Sequence, residues 1–198
     1  MSLEEHLLAA PATPQQIAAA ESTLGRRIPL ELRRLYEFSN GAELMHGNLI
    51  VNQIDALSSH GDQLREWGWP IPHELLVFGG NGAGDLFGVW YPPAANADAE
   101  SAVALVGEVF EPRCLAILGT SLGRFARAWS AYYLQLTDAP AEALDALQLP
   151  EGMRSDELDT TGPFFAWADP ALPDTDPDPY ERGLTAEEFH QWFVTRPD

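Results

Sequence analysis

The stretch Leu75–Tyr91 reads LLVFGGNGAGDLFGVWY and places four glycines in six residues between two apolar runs. A glycine-rich loop after an apolar strand is the raw material of a phosphate cradle, so its reading decides between a nucleotide-binding α/β fold and another class. A P-loop needs G-x-x-x-x-G-K-[ST], in which backbone amides hold phosphate, the lysine neutralises it and the hydroxyl holds magnesium. Gly79 and Gly84 have that spacing, but Asp85 and Leu86 follow, so an anion stands where the cation belongs and the hydroxyl is missing. A dinucleotide fingerprint starting at Gly80 would need glycine where Asp85 stands. The residues after the loop, Leu86–Tyr91, have strand and not helix character, so the helix N-terminus that would attract an anion is absent. The glycines are read as a reversal between two paired strands.

Working outward from this hairpin, Asn48–Asn52, Ala102–Val106 and Arg113–Leu118 are also short, apolar and bounded by turn signals, and read as strands. No helical pattern separates the middle strands, so neighbours are expected to pair mainly antiparallel. The predicted class is α+β, not a doubly wound parallel sheet. Helices flank this region. Thr13, Pro14 and Gln16 have capping-box spacing before a face of Ile17, Ala20 and Leu24, and Gly25 stops that helix. Pro29 starts a second helix with Leu32, Leu35 and Tyr36 inward, which Asn40-Gly41 is expected to end through left-handed backbone. Ser121–Leu136 closes the unit with Leu122, Phe125, Ala126, Trp129, Tyr133 and Leu136 on one stripe. The expectation is an N-terminal helix pair, a central, mainly antiparallel sheet of about five strands, and a long closing helix packed on it.

The 198 residues carry 30 acids against 11 basic residues, all arginine, for a net charge of −19. Such a surface repels nucleic-acid phosphates and anionic membranes, and neither is expected as a direct partner. The N-terminus, MSLEEHLLAAP, is acidic where a signal peptide is basic and then strongly apolar, and no apolar run is long enough to span a bilayer, so a cytoplasmic location is expected. The lone Cys114 agrees with a reducing compartment. From Asp138 to Asp198, 15 acids face 3 arginines. Within that stretch ADPALPDTDPDPYERG, Ala168–Gly183, alternates proline with aspartate and can neither form a regular helix nor bury a face. After it, TAEE at Thr185–Glu188 has capping-box spacing and Phe189, Trp192 and Phe193 follow at helical intervals, so a short terminal helix is expected to dock back. The division expected is residues 11–137 as one α+β domain and 138–198 as an acidic, Pro/Asp-rich extension.

The block TPQQIAAAESTLGRRIPLELRRLYEFSNGAEL, Thr13–Leu44, resembles the opening of the SUKH superfamily. That family includes bacterial immunity proteins and a yeast cell-wall-synthesis regulator. The positions that carry the resemblance are Ile17, Ala20, Glu21, Leu24, Gly25, Ile28, Pro29, Leu32, Leu35, Tyr36, Asn40 and Gly41. FGGNGAGDLFGVWY resembles the family's glycine-then-aspartate strand pair, and GTSLGRFARAW resembles its closing helix. The resemblance spans about Pro11–Leu136 and leaves the acidic extension outside. It implies a non-enzymatic protein that binds and neutralises a cognate secreted toxin of the nuclease or deaminase class by direct occlusion. A scaffold that assembles several cellular proteins, as in the yeast member, is the alternative within the family.

A different class is raised by Gly119–Gly123, GTSLG, which satisfies G-x-S-x-G between an apolar strand and a helix, the context of a nucleophile elbow. Ser121 would be the nucleophile, with His190 and one of Asp174, Asp176 or Asp178 completing a triad. No repeated strand-helix alternation precedes it, and the simpler reading is a helix cap. The five histidines are scattered without metal-ligand spacing, and neither a metal nor a cofactor is expected. For a protein partner with a basic surface, the residues expected to contact it are Asp174, Asp176 and Asp178 in the extension, Asp85 beside the glycine loop, and Trp67 and Trp69 in the aromatic, proline-rich WGWPIP, which is expected to lie on a loop. No small-molecule substrate is expected.

Overall fold

The computed structural model describes residues 6–69, 71–106, 115–136, 142, 145–146 and 184–195. Its centre is a seven-stranded sheet in which every strand pairs antiparallel with the next in sequence, β1 to β7. The strands are β1 (Leu7–Leu8), β2 (Ala42–Leu44), β3 (Leu49–Val51), β4 (Leu75–Gly80), β5 (Leu86–Trp90), β6 (Val103–Val106) and β7 (Leu115–Gly119). The α+β class and the antiparallel meander agree with the sequence reading. The sheet is wider than the five strands expected, because β1 and β2 are too short to show alternation. Five α-helices lie among the described residues: α1 (Pro14–Leu24), α2 (Leu30–Phe38), α3 (His60–Glu66), α4 (Leu122–Leu136) and α5 (Ala186–Thr195).

Local chemistry explains the boundaries of the first helices. Thr13 and Gln16 form a reciprocal capping box at the start of α1, and Gly25, at φ 69°, ends it. The carboxylate of Glu21 accepts the Ile28 N–H at 3.1 Å and so closes the α1–α2 turn. The end of α2 departs from expectation. Ser39 is extended, Gly41 alone takes the left-handed conformation, and Asn40 uses its side-chain oxygen to accept the Ile54 N–H at 2.8 Å. Asn40 therefore ties the turn after α2 to the single turn of 3-10 helix at Ile54–Ala56.

Alternation along the strands divides the sheet into two apolar faces. The first face carries Leu76, Phe78, Phe87, Val89, Tyr91, Val103, Leu105, Ala116 and Leu118 beneath residues of α1, α2 and α4. Its centre is aromatic: the Phe87 ring lies 5.2 Å from Phe125 and 4.8 Å from Trp129, and Phe78 lies 6.2 Å from Phe125. The second face carries Leu75, Val77, Trp90, Ala104, Val106 and Leu115 beneath Leu64 of α3 and Phe189 of α5. Leu184 exchanges backbone hydrogen bonds with Leu115 on the outer edge of β7 and leads into α5. The Thr185–Glu188 capping box predicted for that helix is present, with Thr185 Oγ1 accepting the Glu188 N–H and the Glu188 carboxylate accepting the Thr185 N–H.

An arginine pair joins the helical layer to the loop after β5. The Arg26 guanidinium sits 3.9 Å over the Tyr91 ring and donates to the carbonyls of Tyr91 and Pro92, while Arg27 pairs with Asp98 at 2.9 Å. The Tyr91 hydroxyl returns a bond to the Arg27 carbonyl at 3.0 Å. No described helix is long and apolar enough to cross a membrane.

Candidate functional site

The glycine hairpin between β4 and β5 is a closed loop. Asn81 Oδ1 accepts the N–H groups of Ala83 and Asp85, each at 3.0 Å, and its Nδ2 donates to the Asp85 carboxylate at 2.7 Å. The loop amides of Ala83 and Asp85 are thus turned inward onto a side chain, the asparagine turn that shapes many tight loops. A Cβ on Gly79 would lie 1.9 Å from the Ile50 carbonyl oxygen, so that glycine lets β4 approach β3. Asp85 is half-buried, and its carboxylate helps to lock the loop.

GTSLG has a different occupant from the one its pattern invites. Ser121 is buried and its Oγ accepts the Arg124 N–H at 3.2 Å, the cap of α4. In a nucleophile elbow the amide after the serine faces the oxyanion. Here the Leu122 N–H donates to the Glu31 carboxylate at 3.2 Å and the Gly123 N–H donates to the same group at 3.4 Å. Glu31, from the first turn of α2, therefore occupies the anion position at the N-terminus of α4, where the helix dipole favours it. The strand before Ser121, β7, is antiparallel to its neighbour, unlike the parallel strand of an elbow. His190 lies on α5 with its ring 6.2 Å from that of Trp90. These placements oppose a nucleophilic role for Ser121.

WGWPIP follows α3, a helix that hydrophobic periodicity misses because Leu64 is the only buried apolar side chain in HGDQLRE. Its two tryptophans diverge. Trp67 is 67% exposed, the largest exposed aromatic side chain among the described residues, and Gly68 at φ 91° turns the chain behind it. Trp69 is half-buried and packs against the second-face cluster. Arg65 holds the turn through the carbonyl of Pro72 at 3.2 Å and through Asp62 at 2.6 Å. Trp67 is therefore an apolar group presented on a braced turn.

Asp174, Asp176 and Asp178 lie outside the described residues. Among the described residues, no group of three or more histidine, cysteine, aspartate or glutamate side chains converges to hold a metal ion. The terminal helix expected to dock back does so, and what sequence reading did not foresee is its place, the seam between α5 and the second face. Phe189 is fully buried there, 4.6 Å from the Trp90 ring and 5.5 Å from that of Trp192. Aromatics at three- and four-residue spacing were the available signal, but they do not say which face receives them.

A family model described as SMI1 / KNR4 family (SUKH-1) matches residues 11–111. No curated protein matches the chain.

Proposed function

The chain belongs to the SMI1 / KNR4 family (SUKH-1), and from that premise we propose that it is a non-enzymatic protein-binding module, an immunity protein that neutralises a cognate secreted bacterial toxin of the nuclease or deaminase class. The family membership carries this reading, because the family includes immunity proteins. The fate of the motif residues supports it. Glu21 and Asn40 each close a backbone connection, and Ser121 caps a helix. Their chemistry is used within the fold.

Direct occlusion follows from the charge. A protein that acts on nucleic acid presents a basic cleft, and a chain of net charge −19 approaches it with electrostatic steering and can fill it with carboxylates. The braced, exposed Trp67 supplies an apolar anchor of the kind that dominates binding energy once water is excluded. Asp85 and the extension aspartates Asp174, Asp176 and Asp178 are assigned to steering.

A search of the neighbouring genes for a toxin-like C-terminal domain, followed by its co-expression with this chain, tests the function, with rescue of growth expected. Failure to rescue, together with a pull-down that returns many cellular partners, would transfer the assignment to the family's scaffold class. For the surface, reversing Asp174, Asp176 and Asp178 to lysine is expected to slow association about tenfold at low salt and little at high salt. Unchanged on-rates at low salt would remove these residues from the interface. Trp67→Ala is expected to raise the dissociation rate while leaving folding stability within about 0.5 kcal/mol.

A further inference from the structure

The second face of the sheet is covered in part by a helix that joins it from the far end of the chain, beyond the segment matched to the family. We propose that this face is a groove for a basic, aromatic-anchored helix of a partner protein, and that α5 is a tethered occupant which such a helix displaces. The proposal deepens the protein-binding reading and rests on it for the partner. The displacement of α5 stands without it.

The way α5 is seated defines the shape the groove accepts. Phe189 is its one fully buried anchor, and Trp192 and Phe193, three and four residues on, pack half-buried against the same cluster. Anchors at i, i+3 and i+4 are the pattern of a helix lying in a groove. Among the described residues the backbone attachment of this segment to the sheet is a single bridge. Leu184 and Leu115 exchange a pair of hydrogen bonds of 3.1 and 2.6 Å on the edge of β7, and the capping box at Thr185 belongs to α5 itself.

The fit is also incomplete at a polar atom. The Trp90 side chain is buried under α5, the residue being 1% exposed, and its indole N–H has no acceptor among the described residues. A buried indole normally finds a hydrogen-bond partner, and a missing one is a standing cost of the docked state. A partner helix that brings a hydroxyl, amide or carboxylate oxygen to this position would remove it.

Charge points the same way. Ala186–Thr195 contains Glu187 and Glu188 and no basic residue, and it docks on a chain whose net charge is −19. A helix with lysine or arginine at the exposed positions, where α5 has Glu187 and Gln191, would gain from the negative charge of the chain.

The test uses the full chain and a fluorescein-labelled peptide of residues 184–195 carrying Glu187→Lys and Gln191→Lys at exposed positions, with the Thr185–Glu188 capping box kept. The wild-type chain, with its own helix in place, is expected to bind this peptide weakly. The Phe189→Ala chain, which weakens the tethered helix and leaves the groove intact, is expected to bind about tenfold more tightly. The same peptide with its native Glu187 and Gln191 is expected to bind several-fold less tightly than the lysine form. Native-state hydrogen exchange on the unmodified chain supplies a readout that needs no variant. Amides of α5 are expected to exchange about tenfold or more faster than those of Phe87 and Val89 in β5, and faster again with saturating peptide.

Equal protection of α5 and β5 would make α5 an integral part of the core and overturn the proposal. Equal peptide affinity of the wild-type and Phe189→Ala chains, with both folded by near-UV circular dichroism, would overturn it too. A chain that rescues growth from the toxin yet shows α5 exchanging with the core keeps the immunity reading and loses this one. A mobile, displaceable α5 in a chain without rescue does the reverse.

Discussion

On the first face of the sheet Phe87 is enclosed by Phe78, Phe125 and Trp129, all from the segment that ends with α4, whereas on the second face Trp90 meets Phe189 near the far end of the chain. Both aromatics are fully buried, yet their surroundings differ in kind. The first face is roofed by two helices from the start of the chain and a long one from its middle, with polar pins such as Glu31 and the Arg26–Tyr91 stack at its margin. The second is roofed by a seven-residue helix and by α5, and its Trp90 N–H has no acceptor among the described residues. Equal burial does not make equal anchorage. What separates the faces is how many independent elements must move before the aromatic is released.

The largest expected effect is at the centre of the first face. Phe87→Ala should lower unfolding free energy by about 3–5 kcal/mol, measured by urea denaturation, because Phe78 of β4 and Phe125 and Trp129 of α4 would have to collapse to fill the cavity. Phe189→Ala removes the same side chain and is expected to cost only about 1–2 kcal/mol globally while releasing α5 to hydrogen exchange. Equal losses from the two substitutions would erase the distinction between the faces.

Next comes Gly79→Ala, whose Cβ would strike the Ile50 carbonyl oxygen and push β3 from β4. An expected cost of about 2–3 kcal/mol, read from the same denaturation curves, would place the close strand approach among the main supports of the fold. Glu31→Ala, which leaves the Leu122 and Gly123 N–H groups without their carboxylate, should cost about 1–2 kcal/mol. No loss would mean that water satisfies the start of α4 as well as Glu31 does.

The smallest effect concerns α3 on the second face. His60, its first residue, is bonded to Asn52 at 2.8 Å, and burial lowers its imidazole pKa below the usual 6.5. As pH falls the unfolded chain takes up this proton first, so the contribution is complete above about pH 6.5 and is lost from there down through the folded-state value. Urea midpoints at pH 7.5 and 5.5 should differ slightly, and His60→Gln should reduce the difference. An unchanged difference would remove His60 from the account.

Much of the first face was legible because its signals are local. The Thr13–Gln16 box, the Gly25 stop and the stripe through Leu122, Phe125 and Trp129 each depend on neighbours within a turn or two. The strands on either side of the glycine loop were legible for the same reason. What escaped was short or unpatterned: β1 has two residues, β2 has three, and α3 has one buried leucine. Elements of that size are stabilised by what they pair with, and the pairing partner is not written beside them.

The candidate residues divide along the same line. Trp67 and Trp69 are chemically identical and two positions apart, but one faces solvent and the other the second-face cluster. Asp85 announces negative charge, yet its Asn81 partner is set by how the loop closes. In GTSLG the glycines and serine spell an elbow, and Glu31, distant in sequence, takes the amides that such an elbow would offer to an oxyanion.

From the order of residues alone came the class of fold, the caps, the closing helix, the strand reversal at Asp85 and the acidic character, because each depends on short-range sterics, periodicity or a count of charges. The width of the sheet, the occupant of the α4 N-terminus and the landing of α5 on Trp90 were decided only by tertiary packing. Each requires two distant segments to meet, and the free energy of that meeting belongs to the pair and to neither segment alone.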